Sequence, residues 1–216
     1  MVLLNPSVSG LRKLIKICEE YAKENGLRYN AKKSEILIFR GKNKPLNLNP
    51  NIHLCGTPLK QVSEFEYLGH IVNERLDDDS DIERERRALS VRGNMLARRF
   101  ARCTSQVKVI LFKALCQSSD TCSLWESCTR RAYSALCVQY NNVLRVLLKK
   151  PRYCNASAMF ADAHIDDFYA TMRKRTASAM RRLMNSSNNL LSTLAVKLDS
   201  PLWRRWDGAH VAAREA

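Results

Sequence analysis

The chain has 216 residues, 45% hydrophobic and 26% charged, with only seven glycines and six prolines, a composition that excludes a disordered or collagen-like polymer and suits one large domain or two small ones. Lys and Arg number 36 against 21 Asp and Glu, for a net charge of +15, so polyanions are the favoured partners, nucleic acid before anionic membrane. No apolar stretch approaches the roughly 20 residues that cross a bilayer, and the opening "MVLL" is too short for a signal-peptide core. An intracellular protein without a membrane span is expected.

In chain order, "MVLL" reads as part of a strand. Ser7 or Ser9 then caps a helix whose Leu11, Leu14, Ile15, Cys18, Tyr21 and Ala22 share one face, and Gly26 stops it. "SEILIF" (34–39) reads as a strand with apolar residues on both faces. "GKNKPLNLNP" (41–50) reads as a loop, "NIHLCGTPLKQV" as two short strands about the turn "CGT", and "FEYLGHIV" (65–72) as one more strand. Beyond about residue 73 the period becomes helical. Over 80–103, Ile82, Leu89, Leu96, Phe100 and Cys103 form one face, while Arg84, Arg87, Arg98 and Arg102 project from the opposite one. "SQVKVILFKALCQ" is a second helix. Residues 123–149 read as a long third one burying Trp125, Leu136, Tyr140, Val143 and Leu147, with Pro151 ending it. A further helix over 166–184 turns Phe168 and Met172 inward and Lys174, Arg175, Arg181 and Arg182 outward; the tail after "NSSNNL" is less regular. The fold class is therefore α+β, with residues 1–72 mixed, 73–184 helical and 185–216 a C-terminal tail.

The eight cysteines contain no C-x-x-C pair and are accompanied by four histidines, so zinc-knuckle spacing fails and no metal site is expected. Without a secretion signal, a disulfide framework is not expected either. Cys18, Cys103 and Cys128 fall on apolar helix faces, where free cysteine packs as a small hydrophobe.

The ordered segments "SGLRKLIKICEEYAKENGLRYNAKKSEILIF", "FEYLGHIV", "LFKALCQSSDTCSLW", "VQYNNVLRVLLKKPR" and "ASAMFADAHIDDFYATMRK" together resemble the reverse transcriptase of non-LTR, LINE-type retrotransposons over nearly the whole chain. The resemblance implies that "GLRYNAKKSEILIF" corresponds to palm motif D, "FEYLGHIV" to the motif E hairpin that grips the primer terminus, and the later helices to the thumb. It implies an incomplete palm, helix plus short antiparallel strands, followed by a thumb-like region. "MVLL" then corresponds to the strand that follows the Tyr-Ala-Asp-Asp motif, which this sequence lacks. Two-metal phosphoryl transfer needs carboxylates that no Lys or Arg replaces, so the expectation is a truncated polymerase fragment with no catalytic residue and no cofactor of its own, Mg²⁺ belonging to the intact family enzyme. Where relatives carry Leu-Tyr, this chain has Ser119 and Asp120.

Two acidic runs invite a catalytic reading, Asp77, Asp78, Asp79 and Asp81, and Asp166 with Asp167. Each precedes a helix, so helix capping is the expectation. The resemblance implies primer contact by Tyr67, Leu68 and Gly69; the competing reading is strand packing for the first two and a bulge at Gly69. Lys33 is the candidate nucleotide-side lysine of motif D, with a solvated loop role as the alternative. Arg84, Arg87, Arg98 and Arg102 are the main candidates for phosphate contacts, the Lys174 to Arg182 stripe is the second, and Trp203 and Trp206 about Arg204 and Arg205 are a third. The expected partner is RNA or an RNA–DNA duplex, bound without sequence preference. Two other readings fit: an interaction module whose half-sheet is completed by another protein, and part of a longer, active RNA-directed DNA polymerase whose start lies upstream.

Overall fold

In the computed structural model, Ser7 starts helix α1 (Val8–Glu24) by accepting the Gly10 amide at 3.1 Å, one of the donors that a helix start leaves unpaired. Gly26 ends it at φ 63°, where the Leu27 amide returns to the Ala22 carbonyl at 2.8 Å, the left-handed stop that glycine adopts without a Cβ penalty. The structure describes residues 1–39, 50–117, 121–197, Ser200, Trp203 and Arg204. The loop expected at 41–50, apart from Pro50, lies outside the described residues, as do Ser119, Asp120, Arg205 and Trp206.

The class is mixed α+β, with helices dominating a few short strands. Two compact units are distinguished: Met1–Tyr67 with Ile71–Leu76, and Leu68–His70 with Asp77 onward. In the first unit, "MVLL" is not a strand. No described strand pairs with it, and Leu3 instead packs beside Val8 and Leu11 on the buried Ile15, Ile52 and Leu54. The strand expected over 34–39 contracts to β1 (Glu35–Leu37). β2 (His53–Leu54) and β3 (Thr57–Pro58) pair antiparallel about Cys55 and Gly56, both at positive φ. β4 (Lys60–Val62) pairs parallel with β1, setting Ile36 opposite Gln61. Where periodicity alone gave one strand, "FEYLGHIV" folds as two, β5 (Glu64–Tyr67) and β6 (His70–Asn73), paired across Leu68 and Gly69. Those two residues have φ of 50° and 79°, the positive values that a two-residue hairpin turn requires.

The second unit is helical. α2 (Asp79–Arg99) packs along α4 (Arg130–Leu147), and Gly93 is what permits the approach: a Cβ there would lie 2.6 Å from Val143 Cγ2. α3 (Ser105–Cys116), α5 (Ala156–Asp162) and α6 (Phe168–Met184) complete an aromatic core, in which Tyr140 stacks on Phe160 at 5.4 Å and meets Phe112 edge-on at 5.1 Å. α7 (Asn189–Val196) follows, capped by Asn188. α2 stops three residues short of Arg102, so that residue, Phe100 and Cys103 are not on its face. The helix expected over 123–149 begins only at Arg130. The amides of Glu126 and Ser127 are held by the Asp78 carboxylate at 2.7 and 2.8 Å, and that of Thr129 by Asp79 at 2.7 Å, so the segment is tied to the start of α2 instead of coiling. Trp125 is fully buried there, off any α-helix. α5 lacks a strong periodic signal; Asn155 caps it through the Ala158 amide at 3.1 Å. All eight cysteines are free, with Cys116 and Cys122 buried and Cys18, Cys103 and Cys128 only partly covered. No described helix is long and apolar enough to cross a membrane.

Candidate nucleic-acid interface

The first turn of α2 carries a carboxylate, Asp81, with no exposed surface. Its Oδ2 accepts the Trp125 indole N–H at 2.6 Å and lies 3.0 Å from His70 Nδ1, while its Oδ1 accepts from Arg84 Nε at 2.8 Å. A buried carboxylate is tolerated because these donors replace water. Asp78, also buried, places an oxygen 3.7 Å from His70 Nε2 while holding the two amides after Trp125. His70 therefore sits between the carboxylates of Asp78, at the N-cap of α2, and Asp81, and through it the hairpin tip Leu68–His70 is fastened to the helix. The acidic run thus makes tertiary contacts where helix capping was expected. Asp78 occupies the N-cap position but makes no side-chain cap bond. Asp167, by contrast, does cap α6, accepting the Ala170 amide at 2.7 Å, and Asp166 pairs with Lys174.

The tip itself is open. Leu68 is 85% exposed and Tyr67 45%, and a Cβ on Gly69 would meet nothing within 4 Å. Gly69 thus answers the turn's conformational demand, in place of a bulge or a crowded neighbour. The anchored turn therefore carries an exposed apolar side chain, Leu68.

The arginine stripe divides into two parts. Near the start of α2 the cations are compensated: Arg84 is on Asp81, while Glu83 takes Arg86 in a two-point fork at 2.7 and 2.8 Å and Arg87 at 2.9 Å. The Arg86 hydrogen bond, helped by Arg87, holds the Glu83 carboxyl down to about 2, so it stays ionised and keeps neutralising them at any working pH. At the other end, Arg98, Arg99 and Arg102 are exposed, and no described acid pairs with them. From Asp81 to Arg98 is about 26 Å along the helix axis.

Lys33 ends a 3-10 turn, Ala31–Lys33, and is exposed, its amide held by the Asn30 side chain. In the second stripe, Lys174 is neutralised by Asp166, Arg175 donates to the Gln117 carbonyl, and Arg181 and Arg182 are exposed. Trp203 donates its indole N–H to the Ala195 carbonyl, a packing contact beside α7. Among the described residues no three His, Cys, Asp or Glu side chains converge as a metal set. The buried carboxylates of Asp78 and Asp81 do not fit a Mg²⁺ ion either, because their oxygens face N–H donors that an octahedral shell of oxygen ligands would have to displace.

The anchoring group of His70, Asp78, Asp81 and Trp125 is what sequence reading misses. Its one visible signal is a histidine directly after "YLG" and acids at the next helix start; the tryptophan, placed on a helix by periodicity, gives none. Arg99 is missed because it lies off the axis of the other arginines. No protein-family model, curated protein or solved structure matches this chain.

Proposed function

We propose that this chain binds nucleic-acid duplexes, RNA or an RNA–DNA hybrid, without reading sequence, as the palm-end and thumb-like portion of a LINE-type reverse transcriptase. The observation that carries this reading is the anchored hairpin tip: the His70–Asp81 contact holds an exposed Leu68 at one end of a helix whose other end carries the uncompensated Arg98 and Arg99, with Arg102 just beyond it. In this reading, Tyr67, Leu68 and Gly69 contact the end of the primer strand, and Arg98, Arg99 and Arg102 hold phosphates about one helical turn away. Arg84 and Arg87, already matched by acids, contribute less. Phosphate contacts without base-edge donors give affinity without specificity. Binding, and no catalytic step, is assigned to these residues.

The experiment is equilibrium binding of a labelled RNA–DNA hybrid to the chain and to an Arg98→Gln, Arg99→Gln, Arg102→Gln variant across a salt series. The expected result is a log–log salt slope shallower by about 2–3 in the variant, since each phosphate contact contributes about 0.9. An unchanged slope sinks the assignment.

A second reading, a protein partner that completes the first unit's sheet, is supported by a parallel pair of only three residues per strand, a kind of sheet that is normally larger and covered. Leu4, Ile17 and Tyr21 are exposed in the same unit. Its test is whether association seen in sedimentation disappears in an Ile17→Glu, Tyr21→Glu variant; a monomer throughout, indifferent to the change, contradicts it.

A further inference from the structure

A cleft in the helical unit lies apart from the surfaces assigned above. Lys113 and Gln117 of α3, Ala161 of α5, His164 and Ile165 of the link that follows, and Lys174 of α6 line it, and its volume is about 500 Å³. That is the size of a small-molecule site, and several times what a lone inorganic anion fills.

The donors in the cleft are unequally engaged. Lys174 holds both oxygens of Asp166 at 2.7 and 2.6 Å, and the Gln117 amide nitrogen is taken by the Tyr140 hydroxyl at 2.7 Å and the Asp166 carbonyl at 3.2 Å. Lys113 has a single acceptor, the His164 carbonyl at 3.3 Å, which leaves two of its three ammonium N–H groups for a ligand. The His164 imidazole is exposed and has no hydrogen-bond partner among the described residues. The one carboxylate present is already matched, so the cleft retains the positive charge of Lys113.

His164 is also costly where it stands. Its φ is 52°, and its amide and that of Ile165 close α5 by returning to Ala161 and Phe160 at 3.0 and 3.1 Å. Glycine fills such a position with least strain. A histidine there has a strained backbone and, among the described residues, no bond for its ring.

We propose that the cleft is a nucleotide site. The phosphate monoester is held by Lys113 and His164, and the attached nucleoside lies along Ala161 and Ile165. The same chemistry is presented by a free mononucleotide and by the 5′-phosphorylated end of a strand. The site shares no residue with the hairpin tip or the α2 arginines, so it stands or falls separately from the duplex reading.

The test is NMR of the imidazole protons of the full chain, titrated with adenosine monophosphate, with adenosine, and with short single strands carrying either a 5′-phosphate or a 5′-hydroxyl. The monophosphate is expected to shift the His164 resonance saturably in the sub-millimolar range, with adenosine at least about tenfold weaker. Lys113→Gln, at an exposed position, should weaken the monophosphate about tenfold at unchanged melting temperature. His164→Gly, followed through the Lys113 and Ile165 backbone amide resonances, should weaken it while leaving the fold as stable or more so, separating ligand contact from structure. Preference for the 5′-phosphorylated strand over its 5′-hydroxyl counterpart identifies a strand end as ligand; equal binding of the two identifies the free nucleotide. No saturable shift by about 10 mM monophosphate, or wild-type affinity in Lys113→Gln, overturns the proposal.

Discussion

Replacing Asp81 by asparagine keeps the side chain's shape and removes one charge from a site with no solvent. Oδ2 of the native residue accepts the Trp125 indole at 2.6 Å and contacts His70 Nδ1 at 3.0 Å, and Oδ1 accepts from Arg84 at 2.8 Å. An amide offers one oxygen and one NH₂, so one side must meet a donor with a donor. If the NH₂ takes the Oδ2 position, His70 can change tautomer and accept, but an indole only donates, and a buried unpaired N–H costs about 1–3 kcal/mol. If it takes the Oδ1 position, Arg84 loses a charge-assisted bond of about 1.5–3 kcal/mol. Either orientation also removes the nearer counter-charge of Arg84 and leaves it only Glu85 at 3.8 Å, so the expected loss is about 2–4 kcal/mol, and about 3–5 kcal/mol for Asp81→Ala. Urea unfolding followed by tryptophan fluorescence measures it, since Trp125 is fully buried. Hydrogen exchange at 68–71 supplies a second readout, and those amides should exchange faster as the tip loosens. A loss below about 0.5 kcal/mol, the range of an ordinary surface change, with unaltered exchange at the tip, refutes the anchoring account.

Gly93→Ala should destabilise by about 1–2 kcal/mol: overpacking against the β-branched Val143 outweighs the helix-propensity gain of about 1 kcal/mol, and a Val143→Ala partner change should recover much of the loss in a double-mutant cycle. Lys149 stands at φ 54° after the end of α4, so Lys149→Gly should raise stability by about 0.5–1 kcal/mol in chemical denaturation. Burial raises the Cys116 thiol from 9.0 to about 11 and the Tyr140 hydroxyl from 10.0 to about 12. Raised pKa values mean stability that is complete below about pH 9 and is lost as pH climbs through 11 to 12, by up to about 2–3 kcal/mol for each group. Thermal melts from pH 8 to pH 11 should therefore fall steeply, and Cys116→Ala should flatten the first part of the decline.

The helices were legible where caps and periodicity agreed. Ser7, Asp167 and the glycine stop at Gly26 mark real ends, and the buried faces of α2, α4 and α6 follow the 3.6-residue period. Sequence reading failed where tertiary contacts overrode local signals. Trp125 carries a helical apolar spacing, yet its neighbours' amides are captured by Asp78, which lies 47 positions earlier and leaves no local trace. "MVLL" has strand composition, and no described strand pairs with it. Of the four-arginine stripe, Arg87 and Arg98 are exposed on α2 while Arg84 is half-buried against Asp81; a helical wheel shows neither where α2 ends nor which arginines Glu83 and Asp81 neutralise. Positive φ at Leu68 was equally hidden, because leucine is not a residue that usually signals a turn.

The claim at the centre of the account is that the hairpin tip and the far end of α2 touch one duplex. A photo-crosslinking residue placed singly at Leu68, at Arg98 and, as a control, at the 91% exposed Tyr153 tests it against a labelled RNA–DNA hybrid with a recessed primer end. The account predicts strong crosslinks from Leu68 to the primer terminus and from Arg98 to the duplex stem, of which Asp81→Ala suppresses only the one from position 68. Crosslinks at Leu68 and Arg98 no stronger than those at Tyr153 would contradict it.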